Sequence, residues 1–309
     1  MFFEGSEKRV EVRVSASTGS LRLLDDRFWA DVVVSAKAEI LSKMSNEFCD
    51  AYLLSESCLF VWDDKLLMLT CGNTTLVDAV ILCVDKLGQS AIASVSYQRK
   101  SEYLSHLQTS SFSDDLLPLR TKLSGVAYRV GHLDTHHHYL FASDTTCPVV
   151  EPKSNSELLM YHIKGAVADY LRSDKQSCEG IRQMLGLEAL FPNFTFDDHL
   201  FAPFGYSING LWEDKYMTIH ITPQEQSSYV SIETNLHSEL IVFNIFSILL
   251  NKLNPQSWDV ISFNREVVTD GFPPHFSVAS CILPINDNDT IQFNQYQQLK
   301  NEVLLPELL

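Results

Sequence analysis

The stretch Tyr52–Cys71, YLLSESCLFVWDDKLLMLTC, decides how the chain is read. Two apolar runs, Ala51–Val61 and Leu66–Thr70, flank Trp62-Asp63-Asp64-Lys65 and predict a buried β-hairpin. Ser55-Glu56-Ser57-Cys58 interrupts the first run. An unpaired neutral polar group there would cost about 2–7 kcal/mol on burial, and a carboxylate more. Two readings stand. The segment is either a polar kink with its own hydrogen bonds, or a strained Glu56–Ser57 peptide held beside the Ser57 hydroxyl.

The surrounding composition narrows the class. At 309 residues the chain suffices for one large domain or two ordinary ones. Hydrophobic content of 45% and charged content of 20% are those of a soluble globular protein. A net charge of −16 argues against nucleic acid or an anionic membrane as partner. Seven cysteines (Cys49, Cys58, Cys71, Cys83, Cys147, Cys178 and Cys281) are scattered without a CxxC pair. That pattern suits reduced thiols rather than disulfides or zinc. MFFEGSEKR carries no secretory signal, so a cytoplasmic location is expected. The longest apolar run, Leu240–Leu250, is too short for a bilayer and reads as a core helix.

Upstream of the hairpin, Glu7, Arg9, Glu11 and Arg13 share one face of a predicted strand, with Arg13 read as solvated. Asp31–Ala38 reads as a Val/Ala-rich strand. Downstream, Asn73 or Thr74 would cap a helix over Leu76–Leu87. Cys71 then lies where a strand meets a helix N-terminus, which would lower its thiol pKa; an inert buried cysteine is the alternative. Ile92–Arg99 is a strand, 101–114 a polar loop, and Ala127–His132 with His136–Ser143 a strand pair. His136, His137 and His138 alternate in direction along a strand, so they do not converge on a metal ion.

The second half reads as helices over Ser156–Leu171 and Glu179–Ala189, then a β-rich block from Asn193 to Thr234. Asn209-Gly210 signals a tight turn just after Ser207. In KYMTIHIT, His220 falls on the polar face with Thr218 and Thr222. A helix over Ser238–Leu253, strands near Asp259–Asn264 and His275–Leu283, and a final helix over Phe293–Leu304 complete the chain. The pattern predicts an α+β fold of two pseudo-duplicated halves: a four-layer α/β/β/α sandwich of antiparallel sheets with helices outside.

Five segments in order carry a resemblance: FFEGSEKRVEV, YLLSESCLFV, LTCGNTTLVDAV, FAPFGYSINGLW and YMTIHITPQEQSSYVSIETN. They closely resemble the eukaryotic-type S-adenosylmethionine decarboxylase proenzymes across nearly the whole chain. The resemblance implies a single domain, 1–309, that cuts itself between Glu56 and Ser57 into a β chain, 1–56, and an α chain, 57–309. It implies a pyruvoyl group made from Ser57, no metal, and S-adenosylmethionine as substrate, with the product used for spermidine. The pyruvoyl ketone would condense with the substrate amine and take up the electrons left by departing CO₂.

Residue by residue, Cys71 matches the donor that returns a proton to the α-carbon, and Ser207 and His220 match the pair that serves self-processing. Glu4 and Glu7 match the active-site carboxylates. Phe3 and Phe201 would stack the adenine, and Glu56 would help bind substrate. Gln224 stands where the family usually places a glutamate on the ribose, so an amide replaces a charge-assisted contact. Glu11, Glu157 and Glu233 match the acids of the putrescine pocket, but Lys153 replaces its key aspartate and Arg9 a usual leucine. Those cations would substitute for the diamine, so putrescine is not expected to be required. A catalytically dead paralogue that activates a partner, and a cysteine hydrolase using Cys71 and His220, are the alternatives.

Overall fold

The computed structural model describes residues 6–102, 105–131, 137–144, 154–285 and 289–299. The first half carries strands β1 (Lys8–Val14), β2 (Ile40–Ser45), β3 (Asp50–Leu54), β4 (Ser57–Val61), β5 (Lys65–Thr70), β6 (Ile92–Lys100), β7 (Gly125–Gly131) and β8 (His137–Ser143). The second carries β9 (Asn155–Tyr161), β10 (Thr195–Leu200), β11 (Tyr206–Trp212), β12 (Lys215–Thr222), β13 (Tyr229–Thr234), β14 (Ser257–Phe263), β15 (His275–Pro284) and β16 (Thr290–Gln298). Each half forms one eight-stranded antiparallel sheet, β2-β3-β4-β5-β1-β6-β8-β7 and β10-β11-β12-β13-β9-β14-β16-β15. Every strand of one order has its counterpart at the same place in the other, so the expected duplication is present in the topology.

Alternation along the strands sets the layers. Val10, Val12 and Val14 of β1 pack with Trp29 and Val32 of α1 (Asp26–Ser35) and Val80 of α2 (Leu76–Leu87), beside α3 (Phe112–Lys122). Across the molecule, Met217, Ile219 and Ile221 of β12 share a core with α4 (Ala166–Leu171), α5 (Cys178–Leu185), α6 (Leu187–Leu190) and α7 (Glu239–Leu253). Burying each such side chain is worth about 1.5–3 kcal/mol. The inner faces meet through two smaller apolar clusters. Phe60, Leu67 and Leu69 touch Leu211 and Tyr216 in one. Leu140 touches Leu159, Ile261 and Phe293 in the other. Between these clusters the inner faces are polar, and the site lies there.

Several local expectations are corrected. Asp31–Ala38 is mostly helix: Asp25 accepts a hydrogen bond from the Phe28 amide, and Trp29, Val32 and Val33 recur at helical spacing. Ser156–Leu171 divides into central strand β9 and the short α4, because a strand buried on both faces shows no alternation. The final element is strand β16, paired with both β14 and β15, so the helix expected over Phe293–Leu304 is absent from its described part. The 101–114 loop ends in α3, where Ser111 and Asp114 form a capping box. Asn209-Gly210 runs through the middle of β11, and the turn falls at Glu213-Asp214. Helix α2 spans Leu76–Leu87 as expected, but its N-cap position is Thr75 rather than Asn73 or Thr74. His137 and His138 occupy successive places in β8, where His138 Nε2 meets the Asp259 carboxylate at 2.8 Å; His136 lies outside the described residues.

Candidate active site

The polar segment at 55–58 is a turn rather than an interruption inside one strand. Ser55 and Glu56 form a two-residue turn joining β3 to β4, with Leu54 opposite Ser57. The turn is held from both sides: Ser55 N–H donates to the Glu39 carbonyl at 2.8 Å, and Ser55 Oγ accepts from Glu39 N–H at 3.0 Å. Ser57 pairs with Thr70 of β5 and has φ of +132°, a backbone conformation costly for any residue but glycine. Its hydroxyl is buried and makes no hydrogen bond to any described residue. The Glu56 carbonyl oxygen accepts from Cys71 N–H at 3.1 Å, and the Cys71 thiol lies 3.7 Å from the same oxygen. An unpaired hydroxyl therefore adjoins a hydrogen-bonded carbonyl in a turn of strained backbone.

The opposite wall comes from the second sheet. Ser207 of β11 and His220 of β12 are cross-strand partners, and His220 Nδ1 lies 2.8 Å from Ser207 Oγ. Burial lowers the His220 pKa to about 3, so the imidazole is neutral at physiological pH. Between the walls is a cavity of about 380 Å³, lined among others by Glu56, Ser57, Cys71, Phe201, Ser207 and His220. Six residues named from the sequence thus meet at one cavity contributed by both halves.

Cys71 corrects an expectation. Its thiol pKa is raised, first by burial and then by the Glu56 carboxylate, whose Oε2 lies 3.8 Å from Sγ. The helix starts too far downstream to offset these effects. A thiol that keeps its proton suits a donor. Glu56 is itself shifted up by burial. Gly72 follows with φ of +61°, and a Cβ there would come within 3.2 Å of Glu56 Oε2, so glycine fits where a larger residue would crowd the carboxylate. Lys8 spans to the Gly72 carbonyl at 2.8 Å and to Gln108 Oε1 at 3.0 Å.

Glu7 is buried just before β1 and accepts from Ser231 Oγ at 2.6 Å and the Tyr229 hydroxyl at 3.2 Å. Burial raises its pKa to about 7. Ser231 and Tyr229 were not singled out from the sequence, although the alternation of YVSIET puts both on the inner face. Phe3, Glu4 and Lys153 lie outside the described residues. Gln224 follows β12, beyond the cavity wall, and accepts from Ser227 Oγ at 3.2 Å.

A charged seam fills the inner faces beyond Glu7. Arg9 donates from Nε and Nη2 to the two Glu233 oxygens at 2.9 and 2.8 Å, and its Nε lies 3.2 Å from Glu157. Its guanidinium also sits 5.0 Å from the centre of the Phe263 ring. Arg13 is not solvated: it is half-buried and donates to Glu11 at 2.6 Å. Lys100 approaches Glu157 at 3.4 Å and Lys65 approaches Glu11 at 3.9 Å. The acids matched from the sequence are thus paired with cations, two of them lysines contributed by β5 and β6 that sequence spacing did not bring to Arg9. Among the described residues no group of three or more His, Cys, Asp or Glu side chains is placed to hold a metal ion.

Comparison with known proteins places this arrangement. The family described as adenosylmethionine decarboxylase matches residues 1–302. The chain belongs to that family. It is a decarboxylase by that membership. The S-adenosylmethionine decarboxylase proenzyme of Trypanosoma cruzi is 35% identical over 251 residues, 75% of this chain and 68% of that one. The corresponding proenzyme of Leishmania donovani is 31% identical over 282 residues, covering 84% and 73%. That of Dictyostelium discoideum is 32% identical over 272 residues, covering 79% and 72%. The crystal structure of the Trypanosoma brucei AdoMetDC-delta26 monomer shares the fold, with a TM-score of 0.60, 22% identity, and coverage of 78% of this chain and 99% of that one.

Proposed function

We propose that this family member is a self-processing, pyruvoyl-dependent decarboxylase of S-adenosylmethionine whose product serves spermidine synthesis. The supporting observation is the unpaired Ser57 hydroxyl in a strained turn, beside a Glu56 carbonyl that accepts from Cys71 N–H and opposite Ser207 and His220. Processing is an acyl shift. Ser57 Oγ bonds to the Glu56 carbonyl carbon, the C–N bond breaks, and an ester replaces the peptide. Cys71 N–H stabilises the oxyanion formed on the way. Neutral His220, with Ser207, then takes the Ser57 Cα proton; the Oγ–Cβ bond breaks and Glu56 leaves as a carboxylate. Hydrolysis, with water entering and ammonia leaving, gives a ketone at the start of an α chain 57–309, with 1–56 as the β chain.

That ketone supplies an electron sink for the departing carboxylate. Phe201 offers an aromatic face to the adenosyl or sulfonium group, a contact worth about 0.5–2 kcal/mol. Protonated Cys71 stands ready to return a proton to the α-carbon, with Glu56 keeping its thiol from ionising. Arg9, fixed between Glu233 and Glu157, fills the place of a diamine, and activity needs no putrescine. Purified full-length protein is expected to run as two fragments and to be inactivated by borohydride in the presence of substrate. Recovery of an intact 35.0 kDa chain with no reducible carbonyl would refute the assignment. A several-fold activation by putrescine at neutral pH would reject the claim of independence alone.

A further inference from the structure

The two rungs of the β11–β12 ladder beside the cavity are Ser207 opposite His220 and Asn209 opposite Thr218. All four side chains are buried. Asn209 Nδ2 donates to the Tyr52 carbonyl of β3 at 3.2 Å. A carbonyl oxygen can only accept, so the amide is oriented with Oδ1 toward Thr218. Thr218 Oγ1 lies 3.0 Å from that oxygen and gives it the single hydroxyl proton. The same Oγ1 lies 2.9 Å from His220 Nε2. With its proton committed, Thr218 presents a lone pair there, and a neutral imidazole meets it by carrying its hydrogen on Nε2.

The other contacts do not reverse this. Ser207 can donate to or accept from Nδ1, so it follows the tautomer. The Cys58 sulfur lies 3.3 Å from Nε2 and 3.5 Å from Thr218 Oγ1, but a thiol is a weak donor. We propose that Asn209 and Thr218 are positioning residues that hold His220 in its Nε2–H form, leaving the Nδ1 lone pair to take a proton on the Ser207 side of the cavity. Neither residue touches the scissile bond. Because the chain of contacts begins at the Tyr52 carbonyl, the hairpin that carries Glu56 and Ser57 also fixes the state of the base opposite it. The consequence for cleavage rests on the proposed role of His220 in processing, whereas the tautomer itself does not.

The test combines a spectroscopic and a kinetic readout on the full chain. Long-range ¹H–¹⁵N correlation in an uncleaved S57A background, with H220Q to assign the ring, is expected to show His220 protonated on Nε2. Thr218→Val and Asn209→Leu should shift it toward the Nδ1–H form and, with Ser57 present, slow self-cleavage by roughly 10–100-fold, within the contribution of a positioned base. Thr218→Ser should restore both the signature and the rate to within about threefold, which loss of packing would not allow. Cys58→Ala should leave the tautomer unchanged. An Nδ1–H imidazole in the S57A parent, or a Thr218→Val chain with unchanged tautomer and cleavage rate, overturns the inference. If the Ser57 chain never cleaves, the processing role falls while the tautomer measurement still decides this point.

Discussion

Residues 55–56 and 213–214 occupy equivalent places in the two sheets, the first joining β3 to β4 and the second β11 to β12. Both are two-residue turns. The first is followed by buried Ser57 at φ +132°, with its hydroxyl unpaired. The second is exposed; Glu213 holds an ordinary left-handed φ of +52° and its carbonyl accepts from Asn46 Nδ2 at 2.8 Å. Their surroundings differ as much. The first turn faces Ser207, His220 and Cys71 across a cavity. Close to the second, Phe60, Trp62 and Tyr216 pack with ring centres 5.0–5.8 Å apart. Duplication supplies the backbone twice, but only the first copy combines a strained serine with facing polar groups.

The largest expected effect is the direct test of that contrast. Ser57→Ala should leave the chain whole on a denaturing gel and devoid of activity. Lys215→Ala, at the matching place after the second turn, should cleave as the parent does. The parent fragments should run near 6 and 28 kDa at roughly 110 Da per residue. Cleavage in Ser57→Ala, or its loss in Lys215→Ala, would remove the distinction between the turns. Next is Cys71→Ala, which keeps the backbone N–H on the Glu56 carbonyl but deletes the thiol. Cleavage should stay within a few-fold, while turnover falls by about 10²–10⁴, the worth of a positioned proton donor. Equal losses in both would show that the side chain, not the amide, serves processing.

The seam behind the site tests a different part of the comparison, because Arg9 ties the first sheet to the second. Arg9→Leu leaves Glu233 without a cation and Glu157 with Lys100 alone, and should lower stability by about 3–5 kcal/mol in denaturant titration. Putrescine should recover part of that loss in the variant and none in the parent. A variant as stable as the parent would mean that the acids take up protons at no cost.

The sequence made the layers legible because β1 and β12 each have one apolar face and one polar face, and alternation translates directly into inside and outside. It made the site legible through the segments around Glu56-Ser57, Cys71, Ser207 and His220. It misjudged β9 and β16. The first is buried on both faces, and the second alternates with amides rather than charges, so neither shows the usual contrast. The lysines that pair with Glu11 and Glu157, and the support for Glu7, were illegible for another reason. Glu7 and Ser231 are 224 residues apart, and only sheet packing brings them together. At Cys71 the strand–helix junction pointed to a lowered thiol pKa while burial or a nearby carboxylate pointed the other way, and the sequence could not choose because burial beside Glu56 is visible only in the fold.

Acid titration separates two buried groups, His220 of the cavity wall and Glu7 beside β13. His220 has a folded pKa near 3 against an ordinary 6.5, so the unfolded chain binds more protons between those values and stability falls as pH drops through that window. Glu7 has a folded pKa near 7 against 4.5, so its contribution is present below 4.5 and is lost as pH rises toward 7. Each slope is about 1.4 kcal/mol per pH unit at most, and the two oppose each other between 4.5 and 6.5. In uncleaved S57A, H220Q should therefore abolish the acid-side loss from these two groups and leave stability declining from pH 4.5 to 7. Identical pH profiles with and without His220 would show that the ring is solvated.

The smallest effect belongs to the unreactive turn. Glu213 sits at positive φ, where an ordinary side chain costs about 1–2 kcal/mol, and Glu213→Gly removes that cost while losing some backbone entropy. The net gain should be below about 1 kcal/mol in thermal or denaturant unfolding of the S57A chain. In the parent chain the same change should leave the self-cleavage rate unaltered, since the Glu213-Asp214 turn holds no group of the cavity wall. The matching relief of strain at the first turn, Ser57→Gly, would also stabilise the backbone but would remove the nucleophile with it. On this contrast, strain at 213 should be dispensable, whereas strain at 57 should not be separable from the hydroxyl. A slowing of cleavage by more than about threefold in Glu213→Gly, set against the 10²-fold or greater effect of a lost catalytic group, would show that the second turn holds the first in place and that the halves are not independent.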